Sequence, residues 1–407
     1  MVQDLPPVMP DTLSETPEVA LLGHEPSPPK TPGERVRIAF VIDAIDDWEA
    51  GTEQHLRKLL AALDPSSFAP ELYFLRPSLS LAPADFPCPV HVAGNWPHVK
   101  WYRPQVLWRL VKFLRARRPH IVQTFFRDGT YYGTLAARVA RVPAIVISVR
   151  NAGYWRRGID QLPLKVAYRL AGYWQCNSRW VAKPLENQFG FDHNRVEVLP
   201  NAIDLTKFRP PTPVERLAAR RDLCLLPGAA VFVSVANLRP VKDLSTLLVA
   251  ASLVRRELLA AQFLLVGEGP LRETLESQAA LLNLNPAVRF LGAHADVRPY
   301  LAAADVGLLT SRSEASSNAI LEYMATGLPV LASGIPANRE LLGEGFFEPG
   351  NASELAAKVV ALWRDPNARL RMSRENLRRV APYGLEPFAE RARNYYWKLA
   401  ARTEPLR

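Results

Sequence analysis

Cysteine is scarce in this chain: three residues in 407, at Cys88, Cys176 and Cys224. An odd number so widely spaced builds neither a disulfide framework nor a zinc site, and it suits a reducing cytosol. No run of 18 uncharged apolar residues occurs, so no membrane-spanning helix is expected. The start carries Asp4 and Asp11 and no base before Lys30, which excludes the basic opening and apolar centre of a secretory signal. No Gly-x-Gly-x-x-Gly follows the first apolar run and no Walker A lysine motif exists, which argues against nicotinamide-linked dehydrogenases and P-loop enzymes. No Asp-x-Asp occurs either, so the usual carboxylate pair for fixing a divalent ion against a diphosphate is missing. The histidines are scattered, and no metal-ligand role is assigned to any of them.

What is present is an ordinary globular composition, 48% apolar and 22% charged, with a net charge of +10. Residues 1–34 hold six acids, one base and eight prolines. They read as a disordered acidic leader without a fold of its own, and they leave the remaining chain at +15. Such a body suits nucleic acid, an anionic membrane or an anionic small substrate, and composition alone does not choose.

From Val36 onward, strand and helix patterns alternate. Val36–Asp43 is an apolar strand, followed by a turn at Glu49-Ala-Gly-Thr52 and a helix over about Glu53–Leu63. The alternation runs on to a strand at Val196–Leu199, pauses in the proline-rich stretch Asn201–Pro213, and restarts at Val231–Ala236. Two doubly wound, Rossmann-like α/β domains in tandem are therefore expected. Their bounds are 35–204 and 229–382, with a linker over 205–228 and a C-terminal helical segment, 383–407, crossing back to the first domain. Ligands of such sheets bind outside the carboxyl ends of the strands, which places the expected site in the cleft between the domains.

The clearest chemistry lies in Ser313-Glu-Ala-Ser-Ser-Asn-Ala-Ile-Leu-Glu322. A Ser/Asn-rich turn opens a helix at about Asn318, so free N–H groups and the helix dipole favour a phosphate there. Glu314 and Glu322 flank the turn, and a carboxylate suits the two hydroxyls of a ribose. The competing reading is a capped helix with a dipole-favourable Glu. With Asn318 as the cap, Glu322 falls at the fourth helical position rather than the third that a capping box needs.

The Glu-x7-Glu spacing, followed by Met324-Ala-Thr-Gly-Leu-Pro-Val330, resembles the signature of retaining GT-B glycosyltransferases, specifically glycosyltransferase family 4. Gly51-Thr-Glu-Gln54, Pro200-Asn-Ala-Ile-Asp204, Arg239-Pro-Val-Lys-Asp243, Val266-Gly-Glu-Gly-Pro270 and Phe290-Leu-Gly292 fall in the family's order, so the resemblance covers roughly residues 36–400. It implies a GT-B fold, a nucleotide-sugar donor that is a substrate rather than a cofactor, and no cofactor. It implies that Arg239 and Lys242 stabilise the departing diphosphate, that Glu314 lies near the donor sugar and that Glu322 holds the ribose. Ser317, Asn318 and Ala319 would meet the distal phosphate, and Gly51, Thr52 and Gly267 would approach the donor through their backbone. Without the resemblance, Arg239 and Lys242 read as a solvated basic turn and Gly267 as a tight turn after a strand. With Arg, Lys and a helix N-terminus in place of a metal, metal-independent transfer is expected.

The first domain departs from the family pattern. Gly51 follows Ala50 where relatives often have two glycines. Asp128, beside Arg127, stands where many relatives place a histidine; it suits a sugar hydroxyl, and equally a helix cap before Thr130–Arg141. Arg127, Arg150 and Asn151 are acceptor-side candidates. Lys100–Arg118 holds seven bases, no acid and interleaved aromatics, with an apolar stripe at Leu107, Leu110, Val111 and Leu114. This pattern suits an anionic bilayer surface, or a stripe packed on the sheet with its bases solvated. No nucleic-acid partner is expected. The resulting expectation is a cytoplasmic transferase, peripheral on the membrane face, moving a sugar from a UDP-sugar to a lipid-linked or polysaccharide-precursor acceptor. The alternatives are a soluble transferase or phosphorylase acting on a small sugar or metabolite, and a catalytically silent binding protein of the same fold.

Overall fold

The structure is a computed structural model that describes residues 35–46, 51–94, 103–150, 161–189 and 192–402. Thirteen strands are present among these residues: β1 (Val36–Ile42), β2 (Phe68–Phe74), β3 (Val90–Val92), β4 (Ile121–Thr124), β5 (Ala144–Val149), β6 (Tyr173–Cys176), β7 (Val196–Val198), β8 (Val231–Val235), β9 (Gln262–Val266), β10 (Val288–Gly292), β11 (Val306–Leu309), β12 (Val330–Ser333) and β13 (Phe346–Phe347). They form two parallel sheets, ordered β3-β2-β1-β4-β5-β6-β7 and β10-β9-β8-β11-β12-β13. Each order reverses direction once, between β1 and β4 in the first sheet and between β8 and β11 in the second. Loops leaving neighbouring strands diverge at such a point and open a crevice at the carboxyl ends.

The strands are apolar on both sides because helices cover both faces. In β1, Val36, Ile38, Phe40 and Ile42 face the helices Gly51–Ala62 and Leu385–Arg402, while Ala39 and Val41 face Pro104–Arg117, Arg127–Val139, Gln161–Leu170 and Arg179–Phe189. The second sheet is layered in the same way, with Phe232 and Phe263 toward helix Leu244–Glu257 and Val231 and Val233 toward helix Asn318–Ala325. Close approach is built in by glycine: a Cβ on Gly133 would sit 2.6 Å from Thr124 Cγ2, and one on Gly307 would sit 2.5 Å from the buried Tyr323 ring.

The last helix, Leu385–Arg402, belongs to the first domain's core. Phe388, Ala392, Tyr396 and Leu399 are buried against Phe40, Phe68 and Leu56. The Tyr396 hydroxyl donates to Gln123 Oε1 at 2.5 Å, and Gln123 Nε2 donates to Ser148 Oγ and Gln175 Oε1 at 2.6 and 2.9 Å. Hydrogen bonds to β4, β5 and β6 thus tie helix Leu385–Arg402 to the first sheet.

Segment 205–228, expected as a linker, instead contains the helix Pro213–Asp222, opened by a capping box between Thr212 and Glu215. Its apolar content is too low for a periodic signal, and it is fixed by charge. Arg216 and Arg220 both reach the Asp305 carboxylate, whose Oδ2 also accepts from Val231 N at 2.8 Å. Arg216 further donates to the carbonyls of Ala302 and Ala304. Removing a carboxylate that satisfies two guanidiniums and an amide leaves partly buried donors unpaired. Asp305→Ala should therefore lower stability by about 2–4 kcal/mol, measured by denaturant unfolding; an unchanged midpoint would show that the helix is held by its backbone contacts alone.

Candidate functional site

The two reversal points supply the loops of the cleft. Beyond β8, a 3-10 turn over Pro240–Lys242 carries Arg239 and Lys242. This turn is latched to the loop beyond β11. Thr310 Oγ1 donates to Lys242 O at 2.8 Å, Arg312 N donates to Val241 O at 2.8 Å, and the Arg312 guanidinium lies 2.9 Å from Asp243. The side chains complete the latch: Lys242 Nζ donates to Glu314 Oε1 at 2.5 Å, and Ser311 Oγ donates to the same oxygen at 2.7 Å. Lys242 and Glu314 keep 20% and 11% of their side-chain surface, so Lys242 is not the solvated turn residue of the alternative reading. Arg239 is exposed, and its side chain makes no hydrogen bond or ion pair with the described residues.

Helix Asn318–Ala325 opens at Asn318, as the sequence suggests, but its cap lies one residue earlier than Asn318. The cap is Ser317, whose Oγ accepts from Ile320 N at 3.3 Å, so Glu322 stands at the fifth helical position and cannot close a capping box. Ser317 is buried and occupied as the cap, which leaves the amides of Asn318 and Ala319 ahead of the first intrahelical bond. Glu322 faces Lys58 of helix Gly51–Ala62, but enclosure outweighs that cation and pushes its pKa up to about 7.

The first domain meets this turn with a second helix N-terminus. Helix Gly51–Ala62 starts at Gly51, and a Cβ there would lie 3.8 Å from Asn318 Nδ2. Gly51 and Thr52 therefore stand at the described N-terminal end of a helix directed at the Asn318 turn. Gly267 behaves differently. Its φ is +146°, its amide donates to Gly292 O at 2.8 Å, and a Cβ would lie 2.0 Å from Ala236 O. Its backbone serves the packing of adjacent loops, as the tight-turn reading has it, and its amide is already occupied.

Asp128 lies in the first turn of helix Arg127–Val139, which starts three residues before the position expected from sequence. It is not the cap. Phe126 occupies that place with φ 57° and no side-chain cap bond, a backbone region that a bulky residue adopts only under constraint. Asp128 pairs with Arg127 at 3.0 Å and stands near Asp43 at the end of β1. Asp43 Oδ1 accepts from Gly129 N at 2.6 Å. Burial and then the Asp128 charge push the Asp43 pKa up to about 7 against the pull of Arg127 and Arg76. No hydrogen bond joins Asp128 to the loops of the second sheet.

Arg150 turns inward rather than standing open toward an acceptor. One of its terminal nitrogens donates to Asn201 Oδ1, its Nε is buried with no hydrogen-bond partner, and burial lowers its pKa to about 9. Asn201 Nδ2 in turn donates to Asn318 Oδ1 at 2.7 Å and Ser316 O at 3.3 Å. Asn151 lies outside the described residues.

Sequence reasoning did not single out Asp43, Lys58 or the role of Asn201. An acid closing an otherwise apolar strand was a visible signal for Asp43. Lys58 sits mid-helix and carried none.

The basic segment is also partly redrawn. In helix Pro104–Arg117 the buried stripe is Val106, Leu110, Val111 and Leu114; Leu107 is at its edge, and Phe113 is turned onto Tyr73 with ring centroids 4.8 Å apart. Lys112 and Arg115 are exposed, and Trp108, 64% exposed, lies 5.6 Å beneath the Lys112 ammonium. Lys100 and its neighbours up to residue 102 lie outside the described residues. No described helix is long and apolar enough to cross a membrane, and no described cluster of His, Cys, Asp or Glu could hold a metal.

Residues 229–365 match the family described as glycosyl transferases group 1, and residues 50–207 match glycosyltransferase family 4. The chain is 29% identical over 248 residues to an Escherichia coli UDP-Gal:alpha-D-GlcNAc-diphosphoundecaprenol alpha-1,3-galactosyltransferase, covering 58% of this chain and 63% of that one. It is 29% identical over 206 residues to the alpha-monoglucosyldiacylglycerol synthase of Streptococcus pneumoniae, covering 49% and 46%. The match thus spans less than two thirds of either relative. Among solved structures, Anabaena Alr3699/HepE in complex with UDP and glucose superposes with a TM-score of 0.73 at 20% identity, over 87% of this chain and 97% of that one. The sucrose-phosphate synthase of Thermosynechococcus elongatus gives 0.75 at 19% identity, over 90% and 100%. These likenesses show the GT-B fold.

Asp43 and Glu322 each hold a proton in the folded chain at pH values where the unfolded chain, with ordinary values of 3.8 and 4.5, has lost it. Their contribution to stability is full below the unfolded values and is lost as pH rises through about 7. Thermal midpoints of the ligand-free protein should therefore fall between about pH 5 and 7.5, and Asp43→Asn should flatten that fall. An identical slope in the variant would remove Asp43 from the account.

Proposed function

We propose that this chain, which belongs to the group 1 glycosyltransferases of family 4, moves a sugar from a UDP-sugar to a lipid-linked or polysaccharide-precursor acceptor, with retention at the anomeric carbon and without a metal. The observation that carries the reading is the Lys242–Glu314 pair, set beside the unpaired Arg239 and on the loop that leads into the free amides of Asn318 and Ala319. Before the donor arrives, Glu314 holds the ammonium in place. A diphosphate takes over as the partner of Lys242, and Glu314 is released toward the sugar hydroxyls. Glu322 accepts from the ribose. The bond from the anomeric carbon to the diphosphate oxygen breaks, the acceptor hydroxyl oxygen bonds to that carbon, and its proton passes to the departing diphosphate. Negative charge grows on the leaving group, which Arg239, Lys242 and the N-terminus of helix Asn318–Ala325 meet with positive potential, the form of help worth most in a water-poor site. Asp43 and Asp128 line the first-domain side and suit acceptor or sugar hydroxyls. A UDP donor is supported by the name of the Escherichia coli relative and by the UDP held by the Anabaena protein.

Arg239→Ala and Lys242→Ala should each lower turnover by roughly 10²-fold or more. Their effects on stability should differ. Arg239→Ala is neutral, whereas Lys242→Ala strands a mostly buried Glu314 and costs about 1–3 kcal/mol. Turnover should survive EDTA. Wild-type rates in both variants, or a loss restored by magnesium, would overturn the leaving-group assignment.

The acceptor side points to a membrane. The relatives' names specify a diphosphoundecaprenol-linked substrate and a glycolipid product, and helix Pro104–Arg117 presents Trp108, Lys112 and Arg115 outward with its stripe buried. Each base near an anionic surface is worth about 1 kcal/mol, fading over a Debye length of about 8–10 Å. Sedimentation with anionic vesicles should be strong at low salt and weak at high salt, and should be lost on combining Trp108→Ala, Lys112→Glu and Arg115→Glu. Equal failure on anionic and neutral vesicles at low salt would favour a soluble acceptor.

A further inference from the structure

We propose that Asn201 is a positioning residue for the donor diphosphate, fixing through a one-way hydrogen-bond relay from Arg150 which end of the Asn318 amide faces the cleft. The proposal rests on the donor reading above and extends it to a residue at the joint between the domains.

The relay is directional because of what each group can do. A guanidinium donates and never accepts. The Asn201 atom facing Arg150 must therefore be its oxygen, Oδ1. That leaves Nδ2 of Asn201 as the atom facing Asn318 and Ser316, where it finds two acceptors, Asn318 Oδ1 at 2.7 Å and Ser316 O at 3.3 Å. An amide that receives a hydrogen bond on its oxygen must present its nitrogen on the other side. Asn318 Nδ2 lies 3.8 Å from where a Cβ on Gly51 would be, between the two helix N-termini. A neutral side chain able to turn either way is thus held as a donor toward the anion. Arg150 suits the start of such a relay: it is enclosed, its Nε has no partner, and Asn201 is the acceptor it reaches. A flipped Asn318 would set a carbonyl oxygen against the diphosphate and oppose the helix dipole.

Asn201→Asp separates this role from folding. The carboxylate still accepts from Arg150, and as an ion pair the contact holds the joint together, but it cannot donate to Asn318. The amide is then free to turn its nitrogen back toward that carboxylate and its oxygen toward the cleft. Calorimetric titration with UDP should show affinity lower by roughly tenfold or more, the share expected of a hydrogen bond to a charged group. Uridine, which lacks the diphosphate, should bind the variant as it binds the wild type, which keeps any fall in thermal midpoint from the lost Asn201–Ser316 contact apart from the loss of diphosphate affinity. Asn318→Ala should lower UDP affinity by a similar factor, and adding Asn201→Asp to it should cost nothing further, since the relay acts through that one amide.

Undiminished UDP affinity in Asn201→Asp would overturn the relay while leaving the donor reading intact. So would an equal loss for uridine, or a full additional loss in the Asn318→Ala background. Absence of binding of UDP and GDP by the wild-type chain would overturn the donor reading and the relay with it.

Discussion

The ion pair between Lys242 and Glu314 is the contact on which the cleft depends. It joins the loop beyond β8 to the loop beyond β11 across the point where the second sheet reverses, so the strand order that creates a crevice also creates a need to bridge it. Ser311 donates to the carboxylate of the pair, while Thr310 and Arg312 fix the backbone turn that carries Lys242 through Lys242 O, Val241 O and Asp243; an ammonium and a carboxylate gain from pairing only when their remaining polar capacity is met. The outcome is a cation and an acid held together across the reversal point of the second sheet.

The same logic extends to the joint between the domains. Asn201 reaches Asn318 and Ser316, and Glu340 accepts from the first two amides of helix Arg179–Phe189, Arg179 N at 2.9 Å and Trp180 N at 3.2 Å. Ala315 packs into the first domain's core, and Leu385–Arg402 brings the chain back to that core. The joint is therefore polar where it meets the ligand and apolar where it carries load. It also holds unsatisfied groups: Arg150 Nε and Ser316 Oγ are buried without hydrogen-bond partners among the described residues.

Charge is distributed in keeping with this arrangement. Arg239 and Lys242 stand on the loop beyond β8, and Lys242 is paired to the loop beyond β11 that leads to the N-terminus of helix Asn318–Ala325. Glu314 offsets part of their charge in the ligand-free chain. Glu322 and Asp43, each raised to about 7, stay partly protonated until a partner replaces the water they lack. Sites that combine enclosed acids with fixed cations bind strongly polar ligands because the ligand completes the pairing.

The sequence alone determined the architecture, and the family resemblance it carries pointed to the donor-side candidates. Alternation of short apolar runs with helical periods is a local property, so the opening strands Val36–Asp43 and Val231–Ala236 were legible to within a residue, while Arg239, Lys242, Glu314 and Glu322 were singled out by the resemblance. Short elements were not legible: three residues at β3 and two at β13 carry no period, and Pro213–Asp222 is held by Arg216 and Arg220 meeting Asp305, a contact between residues more than 80 positions apart. Tertiary structure decided the rest for the same reason. Whether Ser317 or Asn318 caps the helix depends on one rotamer. Whether Arg150 faces an acceptor or Asn201, whether Gly267 offers its amide or gives it to Gly292, and whether Lys58 stands near Glu322 all depend on which distant segment lies alongside, and no spacing within a single stretch of chain encodes that.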